Sequence, residues 1–200
     1  MNEIIKSLYN RKSMRVYEEK SIPQEMKKVI LEAAAQAPTA GCQQLYTILD
    51  ITDEELKKAL SETCDYQPFI AKAPMVLVFC ADCKKWYDAY LEAGCEPRKP
   101  GIGDLMLAVT DTAIAAQNAV VAAESFGIGS CYIGDIMENY EKQRRLLNLP
   151  DYVFPAVMLN IINLRLDITH LYYPAKNSFQ KGRLKRREIF TELLLYTLTT

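Results

Sequence analysis

The alternation of apolar and polar residues along the chain predicts a mixed α/β arrangement in which helices dominate. Residues 104–126 place apolar side chains at helical spacing and are followed by Gly127, which is typical of a helix end. Alanines keep the remaining faces small, so we expect a long buried helix that the few other helices of one subunit cannot cover. Residues 75–81 are an unbroken apolar run, which indicates a strand covered on both faces.

Shorter elements are predicted on either side of these two segments. Helices are expected over residues 2–9, from Pro23 to a stop at Pro38, from a capping box at 52–55 to about Cys64, over 84–93 and over 138–147. Strands are expected over 46–51, over 129–133 and over 152–162, where Pro155 interrupts the pattern. No repeat or linker marks a boundary, so we expect a single domain over residues 1–200, with a divergent C-terminal segment over 160–200.

The charge balance and the N-terminus narrow the class of protein. The chain has 24 Lys and Arg against 25 Asp and Glu, a net charge of −1, which disfavours a basic nucleic-acid binder or a polybasic membrane-surface protein. Its longest apolar run, residues 75–81, is far shorter than the roughly 20 residues of a membrane-spanning helix. The first residues lack the basic and apolar zones of a signal peptide. We expect a cytoplasmic protein with no nucleic-acid or membrane partner.

Three cations and a hydroxyl group occur close together in the segment Arg11-Lys12-Ser13-Met14-Arg15. In extended or turn geometry, Arg11, Ser13 and Arg15 point to the same side. Two guanidinium groups and a hydroxyl suit a phosphate, because arginine binds it through two parallel hydrogen bonds and stays charged. The alternative interpretation is a solvated basic loop.

Two further segments have the composition of loops that face a ligand. In residues 37–44 a helix stop precedes small and amide-bearing side chains, which allow backbone N–H groups to approach a ligand. Gln44 offers a donor and an acceptor, which suits a ring with alternating carbonyl and N–H groups. The alternative is an ordinary helix-to-strand loop. Residues 127–134 turn from the long helix into a strand, and their glycines follow a helix, unlike those of the dinucleotide-binding fingerprint.

Acid–base and metal-binding groups are scarce in the chain. Cys80 and Cys83 have the spacing of half a zinc site or of a redox pair, but the other cysteines are scattered and His170 is the only histidine. We therefore predict structural thiols and no metal. The shortage indicates a bound cofactor that carries the chemistry, so no side chain is predicted to be catalytic.

Taken in this order, the segments resemble the nitroreductase family of FMN-dependent oxidoreductases. Residues 11–17 are similar to the family's Arg-Arg-Ser-x-Arg-x-Phe motif, and residues 37–44 to its Ala-Pro-Ser-x-x-Asn-x-Gln motif. Other parts resemble its Ala-Pro and core strand, its central helix with the flavin-side strand, and its last core strand: residues 73–79, 104–134 and 155–159. The resemblance extends over about residues 3–160.

The resemblance implies an α+β nitroreductase-like fold, with a central mixed or antiparallel sheet flanked by helices, and a homodimer with FMN at the subunit interface. It implies electron transfer from NADH or NADPH through the flavin to a nitroaromatic, a quinone or a similar small acceptor, by a ping-pong mechanism. Pro38 to Gln44 would come from the other chain. By position, the cofactor-binding residues would be Arg11, Lys12, Ser13, Arg15, Pro38, Thr39, Cys42, Gln44, Ile133 and Gly134, with Lys181 and Arg183 as a late phosphate-binding pair.

The chain departs from the family pattern at three places. Cys42 stands where the motif has Asn, and Lys12 stands where it has Arg. After Leu159 the family has a Gly-Tyr-Pro segment, whereas residues 160–164 of this chain are Asn-Ile-Ile-Asn-Leu. Two other hypotheses compete with the flavoenzyme: a zinc or thiol redox module built on Cys80 and Cys83, and a flavin-binding protein without turnover.

Overall fold

The structure is a computed structural model and describes residues 1–16 and 20–163. Its helices are α1 (Glu3–Asn10), α2 (Gln24–Ala35), α3 (Glu54–Thr63), α4 (Pro68–Lys72), α5 (Lys84–Glu92), α6 (Ile102–Ser125) and α7 (Tyr140–Leu146). Its strands are β1 (Tyr46–Ile51), β2 (Met75–Asp82), β3 (Ile128–Ile133) and β4 (Val153–Asn163). Short 3-10 turns occupy Ala40–Cys42 and Gly134–Ile136. The sequence prediction missed α4, which has only one turn and a half of helix.

The four strands form one antiparallel sheet in the order β1-β2-β4-β3. Together with the helices, this confirms the predicted α+β class. Ser13 forms an isolated parallel bridge with Ser130 of β3. The segment around Ser13 therefore lies along the outer edge of β3, whereas β1 forms the opposite edge of the sheet.

Pro155 bends β4 without ending it. The register of β2 against β4 shifts between Phe79, which lies opposite Val157, and Cys80, which lies opposite Pro155. One residue of β4 is therefore extra, which is the geometry of a β-bulge. β3 pairs with β4 only from Met158 onward, so Pro155 has no β3 residue opposite it. The missing backbone N–H of Pro155 therefore costs no hydrogen bond to β3. The strand thus continues through the position where the sequence predicts an interruption.

The sheet separates two buried cores. The first core, on the side that we call the α6 face, joins the sheet to α2 and α6 through Ile30, Ala34, Leu77, Phe79, Ala116, Val120, Leu159 and Ile161. The second core, on the side that we call the α3 face, joins the sheet to α3 and α4 through Leu60, Ile70, Val76, Val78, Cys131, Met158 and Ile162. β2 contributes alternate residues to both cores and is buried throughout, as its unbroken apolar run predicts.

Among the described residues, α6 is covered on only one side. Its buried residues include Thr112, Ala116, Val120 and Ala123, which belong to the predicted apolar stripe. By length and composition alone α6 could also cross a membrane, but its buried side packs against α2 and the sheet. The other side exposes large apolar side chains, as expected for a helix that one subunit cannot cover: Ile102, Met106, Leu107 and Ile114.

The starts of α3 and α6 are fixed by acidic side chains. Asp53 caps α3, because its Oδ1 accepts a hydrogen bond from Leu56 N at 2.7 Å, so the predicted capping box lies one residue too early. At α6, the Asp104 carboxylate accepts from Arg98 at 2.6 and 2.8 Å and from Gly101 N at 2.8 Å. The Arg98 guanidinium and the Gly101 N–H together lower the pKa of Asp104 to about 2.

Candidate functional site

The basic segment Arg11–Arg15 is attached to the sheet and is not a free loop. α1 ends just before it, where Arg11 N donates to Ser7 O at 2.9 Å. Met14 N then donates to Ser130 O of β3 at 3.0 Å, beside the bridge formed by Ser13. The segment is therefore held in place by backbone hydrogen bonds, which a solvated loop would lack.

The predicted phosphate-binding side chains gather around Cys131 of β3. Burial raises the pKa of the Cys131 thiol, while the charges of Arg15 and Arg11 and a hydrogen bond from Ser13 act in the opposite direction. The Arg15 guanidinium carbon also lies 5.9 Å from the centre of the Phe69 ring on α4. Arg11, Ser13 and Arg15 thus all lie near Cys131 at the edge of β3, and their binding of a phosphate stays a prediction.

Several buried polar atoms near this place lack a hydrogen-bond partner among the described residues. They are Arg11 Nη1, Ser130 Oγ and both amide atoms of Asn160. Buried polar atoms are usually paired, so each of these needs an explanation. A guanidinium nitrogen that is already desolvated and unpaired is suited to a ligand oxygen, because a charge-assisted hydrogen bond to that oxygen would replace the hydrogen bond to water that burial removed.

The end of β3 offers open backbone next to this cluster. Ile133 is buried and ends the strand, whereas Gly134 is exposed and begins the following 3-10 turn. A Cβ atom at Gly134 would meet nothing within 4 Å. A planar ring can therefore approach the backbone at Ile133 and Gly134 without meeting a side chain there.

Sequence reasoning missed Gln67 at this end of the site. Its Nε2 donates to Asp135 Oδ2 at 2.7 Å and to Cys64 O at 2.8 Å. Asp135 follows Gly134 directly, so Gln67 connects α4 to the open end of β3. A single glutamine before a short helix carries no periodic signal, and only the tertiary contact identifies it.

The second candidate segment has an unusual backbone. Gly41, Cys42 and Gln44 adopt left-handed φ values of 56°, 57° and 49°. Cys42 is exposed, and Gln44 N donates to Thr39 Oγ1 at 3.1 Å. Gln44 Nε2 donates to Ala35 O at 3.0 Å, so one of its two N–H donors is already used within the chain. Pro38 precedes this segment directly.

Two helices hold the second segment from outside. Ala40 N donates to both oxygens of the buried Asp111 carboxylate on α6, at 3.1 and 3.2 Å. From α5, Trp86 Nε1 donates to Gln43 O at 2.7 Å and Lys85 Nζ to Gln44 O at 3.1 Å. The segment is therefore fixed by the single chain. An ordinary flexible loop would not have these contacts.

The two candidate segments lie far apart within one chain. Tyr46, which follows the second segment, lies opposite Ala81 of β2, and Ala81 lies opposite Phe154 of β4. Ser13 lies beside Ser130 of β3, which lies opposite Ile161 of β4. Four strand spacings across and seven residues along β4 separate the segments by roughly 30 Å. That is about the diameter of a small domain, so one small ligand cannot touch both segments of the same chain.

The remaining predicted site residues are Lys12, which is half-buried beside Arg11, and the late basic pair. Lys181 and Arg183 lie outside the described residues, and their phosphate-binding role stays a prediction. The divergent segment beyond residue 163 lies outside the described residues as well.

Cys80 and Cys83 face different cores. Cys80 packs in the core of the α3 face, and burial raises the pKa of its thiol to about 12. Cys83 packs with Leu45 and Ala108 on the other side of the sheet, and burial raises the pKa of its thiol too. Residues 1–16 and 20–163 contain no group of three or more His, Cys, Asp or Glu that could hold a metal ion. Two protonated thiols in separate cores are suited to packing, not to sharing a zinc ion or a disulfide.

Replacing both Cys80 and Cys83 by serine is expected to leave flavin content and turnover nearly unchanged. The buried hydroxyl groups should lower thermal stability, since a hydroxyl buried without a partner costs about 1–3 kcal/mol. Flavin absorbance per protein, zinc analysis and a melting curve of both proteins test this. Stoichiometric zinc in the wild type that disappears in the double variant would contradict the structural interpretation.

Comparison with known proteins places these segments in a family context. A model described as "Nitroreductase family" matches residues 8–161. The chain is 34% identical over 196 residues to the "FMN reductase [NAD(P)H]" of Bacillus subtilis, which covers 94% of this chain and 73% of that relative. It is 35% identical over 185 residues to the "Oxygen-insensitive NADPH nitroreductase" of Salmonella typhimurium, which covers 92% of this chain and 71% of the relative.

A solved structure shows the same fold. The oxidoreductase YcnD from Bacillus subtilis superposes with a TM-score of 0.80 and 32% sequence identity. The superposition covers 96% of this chain and 82% of that one. Similarity of this extent agrees with the α+β architecture described above.

Proposed function

Since the chain belongs to the nitroreductase family, we propose that it is an FMN-dependent oxidoreductase that takes electrons from NADH or NADPH and passes them to a small acceptor. The acceptor class is a nitroaromatic, a quinone or a similar flat electrophile. The protein works in the cytoplasm, and the order of reaction is ping-pong, in which the oxidised nicotinamide leaves before the acceptor binds.

The observation that carries this proposal is the buried, unpaired Arg11 Nη1 in a segment fixed beside β3. FMN ends in a phosphate, and Arg11, Ser13 and Arg15 converge on one place with two permanent positive charges. Lys12 adds a third cation next to them. These residues fit the phosphate end of FMN, and Lys181 with Arg183 would complete its charge neutralisation.

The residues at the open end of β3 also suit the flavin ring of FMN. Ile133 and Gly134 present open backbone at the end of β3, and Gln67 beside them offers its amide oxygen as an acceptor, since both of its N–H donors are used within the chain. FMN, when bound, supplies the hydride-accepting ring, so the protein needs to provide position and electrostatics only. Chemistry carried by the cofactor agrees with the scarcity of acid–base side chains among the site residues.

The site is built from two chains in this proposal. Pro38, Thr39, Cys42 and Gln44 lie roughly 30 Å from Ser13 in the same chain, so they reach the flavin only from a second subunit. A symmetric homodimer places the same surfaces of both chains against each other. The exposed apolar side of α6 is a surface that such an interface would bury.

Absorption spectroscopy of the purified protein tests the proposal directly. An FMN-loaded protein shows the two bands of oxidised flavin in the blue and the near ultraviolet, whereas a zinc or thiol module shows neither. NADH and NADPH consumption with a quinone then measures turnover. Absence of flavin bands after incubation with FMN and removal of the unbound flavin would contradict the proposal. Flavin bands without consumption of either nucleotide would identify a flavin-binding protein without turnover.

A further inference from the structure

Asn160 is a buried polar residue whose side chain has no partner in the described part of the chain. It lies on β4, opposite Val76 of β2 and Cys131 of β3, and it is fully buried. Neither its amide nitrogen nor its amide oxygen forms a hydrogen bond with a described residue. Because side chains alternate along a strand, Asn160 shares the α3 face of the sheet with Met158 and Ile162.

An unpaired amide in this position destabilises the chain on its own. The neighbours of Asn160 on the same face are apolar, and a valine there would fill the strand without leaving a polar group unpaired. Buried amides in proteins are paired with protein groups, ordered water or a ligand. The partner of Asn160 therefore has to come from outside the described residues.

Asn160 lies directly beside the phosphate-binding cluster. Cys131 is its cross-strand neighbour; Ser13 forms a hydrogen bond with the Cys131 side chain, and the charges of Arg15 and Arg11 act on it. Opposite residues of an antiparallel pair have Cβ atoms about 4.5–5.5 Å apart. The amide is thus within one side chain of the place where the phosphate end of FMN is proposed to bind.

β3 connects the basic segment to the open end of the site. Ser130 and Cys131 mark the position of the basic segment, Asn160 lies opposite Cys131 one strand further into the sheet, and Ile133 and Gly134 mark the open end. Ser130 and Gly134 are about 13 Å apart along an extended strand. In FMN the ribityl chain joins the phosphate to the ring, so a polar residue beside the basic segment and on the same face as Ile133 is placed to meet the ribityl chain.

We infer that Asn160 is a further cofactor-binding residue that hydrogen-bonds to the ribityl hydroxyl groups of FMN. A hydroxyl both donates and accepts, and so does a carboxamide, whereas a phosphate at neutral pH mainly accepts. Both unpaired atoms of Asn160 would therefore be satisfied by a polyol and only one by a phosphate. This inference rests on the proposed function, since it assigns a residue to the same flavin site.

Two variants with flavin titrations test the inference. Asn160→Val removes the amide with little change in volume, and Asn160→Ala is a smaller change that cannot overfill the strand. Each apoprotein is titrated with FMN and with riboflavin, which keeps the ribityl chain but lacks the phosphate. The expected result is a loss of affinity of about tenfold for both ligands. The melting temperature of apo Asn160→Val should equal or exceed that of the wild type.

Gln143→Leu is the matched control. Gln143 on α7 is also a fully buried amide, but its Nε2 donates to Thr63 Oγ1 at 3.0 Å, so it already has a partner within the chain. Its removal should lower the melting temperature and leave both flavin affinities unchanged. Loss of FMN affinity alone in the Asn160 variants would assign Asn160 to the phosphate and overturn the inference. Unchanged affinity for both ligands would also overturn the inference, because the amide would then have a partner other than the flavin. A wild-type protein that binds neither ligand would contradict the proposed function itself.

Discussion

Replacing Met106 by lysine is expected to convert the protein to a monomer and to release FMN. Met106 is 59% exposed in one chain and lies on the apolar side of α6, so lysine there should leave the fold of the subunit intact. In a dimer that buries this side, the ammonium group would have to be desolvated without a partner. We expect the dissociation constant of the dimer to rise at least a hundredfold, which corresponds to about 3 kcal/mol.

Flavin loss is expected because the proposed site is built from two chains. A ligand that contacts two chains binds only the dimer, so it stabilises the dimer and is lost when the subunits separate. Light scattering and flavin absorbance, measured over the same series of protein concentrations, should therefore change together. Mild urea that separates wild-type subunits should release flavin in the same way.

Leu146→Lys is a matched control for the α6 variant. Leu146 is a partly exposed apolar residue on α7, which packs with α3 on the other side of the sheet. This substitution introduces the same charge and should leave both the dimer and the flavin content unchanged. A Met106→Lys protein that is monomeric at micromolar concentration and still fully loaded with FMN would refute the shared site.

Arg15→Ala is expected to weaken FMN binding by about ten- to a hundredfold with the fold intact. FMN binding should weaken because a charge-assisted hydrogen bond to a desolvated phosphate contributes about 1.5–3 kcal/mol. The fold should stay intact because the Arg15 side chain is exposed in the single chain. Because the lost partner is the phosphate, riboflavin affinity should stay nearly constant. This pattern separates Arg15 from Asn160, for which both ligands lose affinity.

The control for Arg15 is Arg145→Ala, which removes an exposed arginine on α7 outside the predicted site. Its FMN affinity should match that of the wild type. If Arg15→Ala bound FMN as tightly as the wild type, the phosphate would have to bind elsewhere, and the basic pair Lys181 and Arg183 would be the next residues to replace.

The elements whose apolar residues recur with a clear period could be predicted from the sequence, because burial of one or both faces determines which positions are apolar. β2 and α6 are examples, and the limits of β1 agree with the prediction as well. The position of the basic segment could not be predicted. It depends on the bridge between Ser13 and Ser130, and parallel pairing with a distant strand leaves no local signal.

In the candidate site, too, some residues could be identified from the sequence and others only from the structure. Arg11, Ser13 and Arg15 are recognisable because charge and spacing in a short segment already suggest a phosphate. Asn160 and Gln67 could not be recognised as site residues from the sequence. A single amide in an apolar stretch or before a short helix can be assigned a role only from the residues that surround it in the fold. The family resemblance already implies that the two segments come from different chains, whereas their separation within one chain follows only from the observed strand order β1-β2-β4-β3.

The attachment of residues 39–44 to α5 and α6 has a consequence for the energetics of flavin uptake. Fixing the backbone of a residue costs about 1–2 kcal/mol of conformational entropy, and left-handed residues such as Cys42 add strain. Here Trp86, Lys85 and Asp111 order this segment when the single chain folds. The segment is therefore preorganised before a partner or a flavin arrives, and in the proposed shared site FMN binding would carry no penalty for ordering it.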